Sequence, residues 1–130
     1  SEFIRRLVFT VAIGNGDMHL KNWSLLYSDP CKPMLSPAYD LVPTIAYIAG
    51  DKLALNLAGT KDFTDVSIDK FRKMARQAKA SERLTAIIAT ETVERIIDTW
   101  KSDSLELILT NDTRKAIEKH MKSLPLLKAS

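Results

Sequence analysis

From Ser67 onward the apolar residues recur at the three- and four-residue spacing of an α-helix, and this pattern limits the fold more than any other feature. Ser67 is placed to cap a helix carrying Ile68, Phe71, Ala75 and Ala78 on one side. Ser81 is placed to cap another, with Leu84, Ile87 and Ile88, and Val93, Ile96, Ile97 and Trp100 continue its spacing. Thr110 or Asn111 caps a last helix with Ile117 and Met121 inward. Near the start, Phe3, Ile4, Leu7, Val8, Val11 and Ala12 predict one more amphipathic helix, ending near Gly14. Trp23 and Trp100 read as core anchors. A chain of 130 residues, 45% hydrophobic, fits one domain whose core needs neither disulfides nor a structural metal.

The region between the first helix and Ser67 has a different texture. Residues 15–22 form a polar loop between apolar segments. Residues 23–27 predict a short strand, Ser28, Asp29 and Pro30 a turn, and Met34 with Leu35 a second strand pairing back. Residues 36–43 contain two prolines and are not expected to be regular helix. The alternation of Leu53, Leu55 and Leu57 predicts a further strand. The expected fold class is therefore mainly α, a helical domain with a small β-hairpin beside the polar loop.

That loop carries the chemistry. Asp17 and Asn22 are separated by four residues, and Asp40 lies beyond the hairpin, whose ends come close together. An amide carbonyl and two carboxylates form an oxygen-only set that suits Mg²⁺, an ion that keeps waters and takes phosphate oxygens as further ligands. Phosphoryl transfer uses such a set: one Asp accepts or orients the acceptor hydroxyl, while an Asn and a second Asp hold metal against the phosphates. The spacing of Asp17 and Asn22 is that of a kinase catalytic loop, with Asp40 in the place of the later metal-binding Asp.

Ile13-Gly14-Asn15-Gly16-Asp17-Met18-His19-Leu20-Lys21-Asn22-Trp23-Ser24, followed by Leu35-Ser36-Pro37-Ala38-Tyr39-Asp40-Leu41-Val42-Pro43-Thr44, resembles the C-terminal region of HipA-family serine/threonine kinases, the toxin halves of bacterial toxin–antitoxin pairs. The resemblance is tight over about residues 10–45 and looser beyond. It implies a protein-kinase-like C-terminal lobe over 1–130, with the catalytic loop and metal site in 14–43 and a helical bundle over 67–124. It implies Asp17 as the catalytic Asp, Asn22 and Asp40 as Mg²⁺ ligands, and ATP as phosphoryl donor. It places Tyr39 near the adenine and makes His19 and Lys21 further candidates for the nucleotide site. A protein acceptor and an antitoxin are the implied partners.

Each residue also has a plainer reading. Asp17 after Gly16 could shape a turn. His19 could brace the loop through a ring N–H, Tyr39 could be a packed aromatic, and Lys21 lies four residues after Asp17, not two as in eukaryotic kinase loops. The four glycines form neither a GxGxxG nor a Walker-type loop. With no nucleotide-binding lysine strand and no Met at the start, the chain is expected to be a fragment lacking the N-terminal lobe and inactive alone.

Two rivals stand beside this reading. A small-molecule phosphotransferase of the aminoglycoside or choline kinase type shares Gly16-Asp17-Met18-His19-Leu20-Lys21-Asn22, but usually carries His where this chain has Asn15 and Trp where it has Leu41. The other is a non-catalytic helical interaction module. Arg72, Lys73, Arg76 and Lys79 form a basic face read as solvated, and the net charge of +3 is too mild to call for direct nucleic-acid binding. Lone Cys31 excludes an internal disulfide and, without a CxxC pair, argues against zinc. No signal peptide or apolar run of about 20 residues is present, so no membrane partner is expected and the reducing cytoplasm is the expected compartment.

Overall fold

The computed structural model describes residues 1–39, 41–102 and 109–128. Helix α1 spans Glu2–Ile13 and stops at Gly14, whose φ of 70° is the left-handed geometry of a helix C-cap. Strands β1 (Leu25–Asp29) and β2 (Lys32–Leu35) follow as an antiparallel hairpin. Helices α2 (Ile68–Gln77), α3 (Glu82–Trp100), α4 (Asn111–Ser123) and α5 (Pro125–Lys128) complete the chain. The caps are those expected: Ser67 Oγ accepts from Lys70 N–H at 3.4 Å, Ser81 Oγ from Leu84 N–H at 3.1 Å and Thr110 Oγ1 from Thr113 N–H at 3.3 Å. The expected helical bundle also ran through residues 103–108, which lie outside the described residues.

Helix α3 packs against α1 and α2, and α4 packs against α1. The core joins Val8 and Val11 of α1, Phe71 of α2, Ala89 and Val93 of α3, and Leu124 and Leu126 at the C-terminal end. Each large apolar side chain fully buried there contributes about 1.5–3 kcal/mol of transfer free energy. Leu53, Leu57, Ala58, Phe63 and Val66 supply the rest of that cluster from the stretch between β2 and α2.

Several expectations need correction. Residues 53–57 form no strand. Leu57 instead pairs with Thr60 in an isolated bridge, and Leu53 N–H donates to Lys61 O at 2.8 Å. Between them Ala58 (φ 51°) and Gly59 (φ 100°) turn the chain too tightly for a strand to continue. Ala78 is exposed because α2 ends one residue earlier. Leu84 and Ile87 are also exposed, and of that trio only Ile88 faces the core. Trp23 and Trp100 are half-buried rather than core anchors: Trp23 packs on Phe3 at 5.1 Å, and Trp100 Nε1–H donates to Glu118 at 3.1 Å.

Strand β1 lies two residues later than expected, through a bulge between Leu26 and Asp29, while β2 begins two residues earlier, at Lys32, and the turn falls at Pro30 and Cys31. Cys31 sits exposed at its turn, its N–H bonded to Asp29 Oδ1 at 3.0 Å. Among the described residues the sheet has only these two strands, and Leu25, Leu26, Tyr27 and Met34 are all more than half exposed.

His120 of α4 is buried and contacts Val11 O at 2.8 Å, packing edge-on against Phe63. Burial pushes its imidazole below the ordinary range, and the bond to Val11 only partly opposes this. The fold therefore favours neutral His120. Its contribution is complete above about pH 6.5, where the unfolded chain is also neutral, and is lost as pH falls below that. Urea unfolding is expected to show lower stability at pH 5.5 than at pH 7.5, with the difference reduced in His120→Gln. An unchanged difference in that variant would assign it to other groups.

Candidate functional site

The loop after α1 is built by a few side chains that hold its backbone. Asn15, fully buried, accepts Asp17 N–H on Oδ1 at 3.0 Å and directs Nδ2 to Met18 Sδ at 3.9 Å. This is the Asx-type turn that the residue two before Asp17 is suited to make. Asp17 thereby projects a carboxylate that is about half exposed, with His19 Nε2 3.4 Å from Oδ1. The plainer reading of His19 fits this contact: it braces the Asp17 carboxylate. Residues 20–22 form one 3₁₀ turn, in which His19 N–H donates to Asn22 Oδ1 at 3.1 Å and Asn22 N–H to His19 O at 2.9 Å. Asn22 is buried, so its amide is fixed rather than free to rotate into solvent.

The hairpin returns the chain to this loop. Ser36 N–H donates to Ser24 O at 2.8 Å, and the two hydroxyls lie 3.0 Å apart. Arg6, buried in α1, bonds Ser36 O and Glu2 and lies over the Trp23 ring at 6.0 Å. Tyr39 then donates its hydroxyl to Lys21 O at 2.8 Å and also meets Ser24 Oγ at 3.3 Å. Tyr39 is thus a partly exposed strut between the hairpin exit and the loop, not a packed aromatic. Lys21 is exposed and contributes its carbonyl to that strut. Asp40 lies outside the described residues.

Past the hairpin, Thr44 closes the loop from the other side. Gly16 N–H donates to Thr44 Oγ1 at 2.7 Å, Ile45 N–H donates to Gly14 O at 3.0 Å, and the Thr44 hydroxyl meets the Asp51 carboxylate. A side chain at Gly16 would strike the Asp51 carboxylate and the Lys52 carbonyl, so glycine is required there by space. Asn15, Arg6, Thr44 and Asp51 were missed by the sequence reading. Only Asn15 had a local signal; the others act across 28 or more residues of chain or through one another.

The donor set fits a hard cation. By type, the amide oxygen of Asn22, which accepts from His19 N–H, and the carboxylates of Asp17 and Asp40 are the donors such an ion takes. An apolar groove of about 590 Å³, lined by Phe9, Ile13, Leu41, Pro43, Trp100 and Met121 among others, does not include Asp17, His19 or Asn22. The Asp17 and His19 side chains are about half exposed, while Asn22 of the same loop is buried. No helix among the described residues is long and apolar enough to cross a membrane.

Comparison with known proteins gives a consistent result. Residues 1–100 match the model of the HipA-like C-terminal domain. The chain is 47% identical over 127 residues to Y4dM of Sinorhizobium fredii, named as a candidate kinase, covering 97% of this chain and 31% of that protein. A second candidate kinase of the same organism, Y4mE, is 29% identical over 99 residues, 70% of this chain and 23% of the relative. The chain thus spans about a third of the length of these relatives, or less. Among solved structures, the Shewanella oneidensis HipA–HipB toxin–antitoxin complex with operator DNA superposes with a TM-score of 0.71 at 21% identity, over 95% of this chain and 29% of that one. That likeness shows the fold: a mainly helical domain with a two-stranded sheet, matching the C-terminal region of HipA. By its match over residues 1–100, the chain belongs to the family of HipA-like C-terminal domains.

Proposed function

We propose that this chain is the catalytic-loop portion of an ATP-dependent serine/threonine protein kinase of the HipA type, acting as the toxin of a toxin–antitoxin pair. Asp17 accepts or orients the proton of the acceptor hydroxyl, and Asn22 and Asp40 hold Mg²⁺. The metal, when bound, neutralises phosphate charge and orients the donor; the chain's own residues position the reacting groups. Asn15 fixes the Asp17 backbone, His19 steadies its carboxylate, and Tyr39, the residue before Asp40, bonds to the loop through its own hydroxyl. Lys21 and Tyr39 line the approach for nucleotide.

The observation that carries this reading is the bond from Tyr39 Oη to Lys21 O. It joins two stretches 18 residues apart and brings the neighbour of Asp40 to within one residue of Asn22. The other lobe, with its phosphate-covering loop and nucleotide lysine, belongs in this reading to the two-thirds of the relatives that the chain does not span. The open surface around Asp17 is where such a lobe would close.

The test is Mg²⁺-dependent ATP binding by a full-length protein carrying this chain, measured by calorimetry. Losing a residue that merely supports a metal ligand costs about 10–100-fold in metal affinity, so Asp40→Ala is expected to weaken Mg²⁺-dependent binding at least ~10-fold. Asn22→Ala is expected to do the same. Metal-dependent binding that survives both substitutions would place the metal elsewhere.

A further inference from the structure

We infer that Asp51, acting through the Thr44 hydroxyl, is a positioning residue that sets the backbone of Gly16 and so the aim of Asp17. This rests on the reading of Asp17 as the catalytic Asp and adds to it a device that lies outside residues 14–43.

The geometry is a chain of three groups. Thr44, buried, presents Oγ1 to Gly16 N–H at 2.7 Å. The same hydroxyl has two acceptors within reach, Gly14 O at 3.1 Å and the Asp51 carboxylate, which is closer. A hydroxyl has one hydrogen, and the charged acceptor in shorter contact takes it. With its proton drawn to Asp51, Thr44 Oγ1 turns its lone pairs to Gly16 N–H and becomes the stronger acceptor. Asp51 therefore tightens a bond to a backbone that it does not itself touch through hydrogen.

Packing makes the arrangement directional. The Asp51 carboxylate and the Lys52 carbonyl occupy the space where Gly16 would carry Cβ. Ile45, next to Thr44, bonds Gly14 O at 3.0 Å and fills the corresponding space at Gly14. Residues 44, 45, 51 and 52 together form a seat for residues 14–16, and Asp17 is the next residue. Within the seated stretch, Asn15 Oδ1 accepts the Asp17 N–H at 3.0 Å. The Asp17 carboxylate thus leaves a backbone whose N–H groups are held at both residue 16 and residue 17. Thr44 and Asp51 touch no candidate ligand of the metal among the described residues, so their effect is on aim rather than on nucleotide affinity.

Displacing a reacting group by about 1 Å costs ~100-fold in rate. In a full-length protein carrying this chain, Thr44→Val, which keeps shape and removes the hydroxyl, is expected to lower kcat by roughly 10–100-fold, with the KM for ATP within ~3-fold. Thr44→Ser, which restores the hydroxyl, is expected to restore kcat to within ~3-fold of wild type. Asp51→Ala, at a partly exposed position, is expected to lower kcat by at least ~10-fold without unfolding the protein, and serves if Thr44→Val does not fold. Exchange of the Gly16 amide hydrogen should accelerate in both Thr44→Val and Asp51→Ala and not in Thr44→Ser. Wild-type kcat in Thr44→Val and Asp51→Ala, beside an inactive Asp17→Asn, would overturn the positioning role and leave the kinase reading standing. An active Asp17→Asn would instead remove the reading on which it rests. Unchanged Gly16 exchange in Asp51→Ala would overturn the proposal whatever the activity.

Discussion

Asp17→Asn, made in a full-length protein carrying this chain, is expected to lower phosphoryl transfer by at least ~100-fold, the usual lower bound for a positioned general base. The substitution keeps side-chain shape and leaves the Asp17 N–H bond to Asn15 in place. It removes the charge facing His19, but both side chains are about half exposed, and such pairs are worth less than about 1 kcal/mol. Folding should be nearly unaffected, so lost activity would report chemistry rather than structure. The measurement is radioactive γ-phosphate transfer to a protein acceptor, with thermal melts as the control. Full activity in a folded Asp17→Asn protein would rule out the assignment.

Gly14→Ala is expected to destabilise the site region strongly. The residue holds φ at 70°, where a side chain costs roughly 1–2 kcal/mol. The new Cβ would also lie 2.5 Å from Ile45 Cγ2 and 2.7 Å from Ile45 Cβ. Overpacking of that kind costs ~1–3 kcal/mol, so the two effects together remove roughly 2–5 kcal/mol. For a domain of this size the melting temperature would fall by roughly 7–18 °C. Because Gly14 is bonded through its carbonyl to Ile45, activity should fall along with stability. A melting temperature within ~2 °C of wild type would show that α1 and residues 44–45 do not meet as described.

The contrast between these residues shows what could be read from sequence. Helix starts were legible because a Ser or Thr hydroxyl acts on an amide three residues away, and Ser67, Ser81 and Thr110 all do so. The end of α1 at Gly14 was legible for the same reason of locality. Residues 53–57 misled because a leucine at every second position resembles a strand, while the actual determinant was the tight turn at Ala58 and Gly59. Leu84 and Ile87 misled because periodicity marks a face without saying whether anything covers it. The loop residues with intrinsic chemistry, Asp17, His19 and Asn22, stood out by type and spacing, and the structure brings them together. Arg6, Thr44 and Asp51 did not, because Arg6 and Thr44 bond backbone far away in sequence and Asp51 acts through the Thr44 hydroxyl.

The hairpin turn has a practical consequence. Cys31 is the sole thiol in the sequence, and it is exposed at the tip of strands whose apolar side chains face outward. A solvatochromic maleimide would attach there and at no other side chain of these 130 residues, with every native residue retained. Its emission would shift to the blue whenever another molecule or another part of a longer protein settled over the strands. Titration of that signal would give an occupancy curve for this face, whatever the chemical nature of the molecule that settles on it.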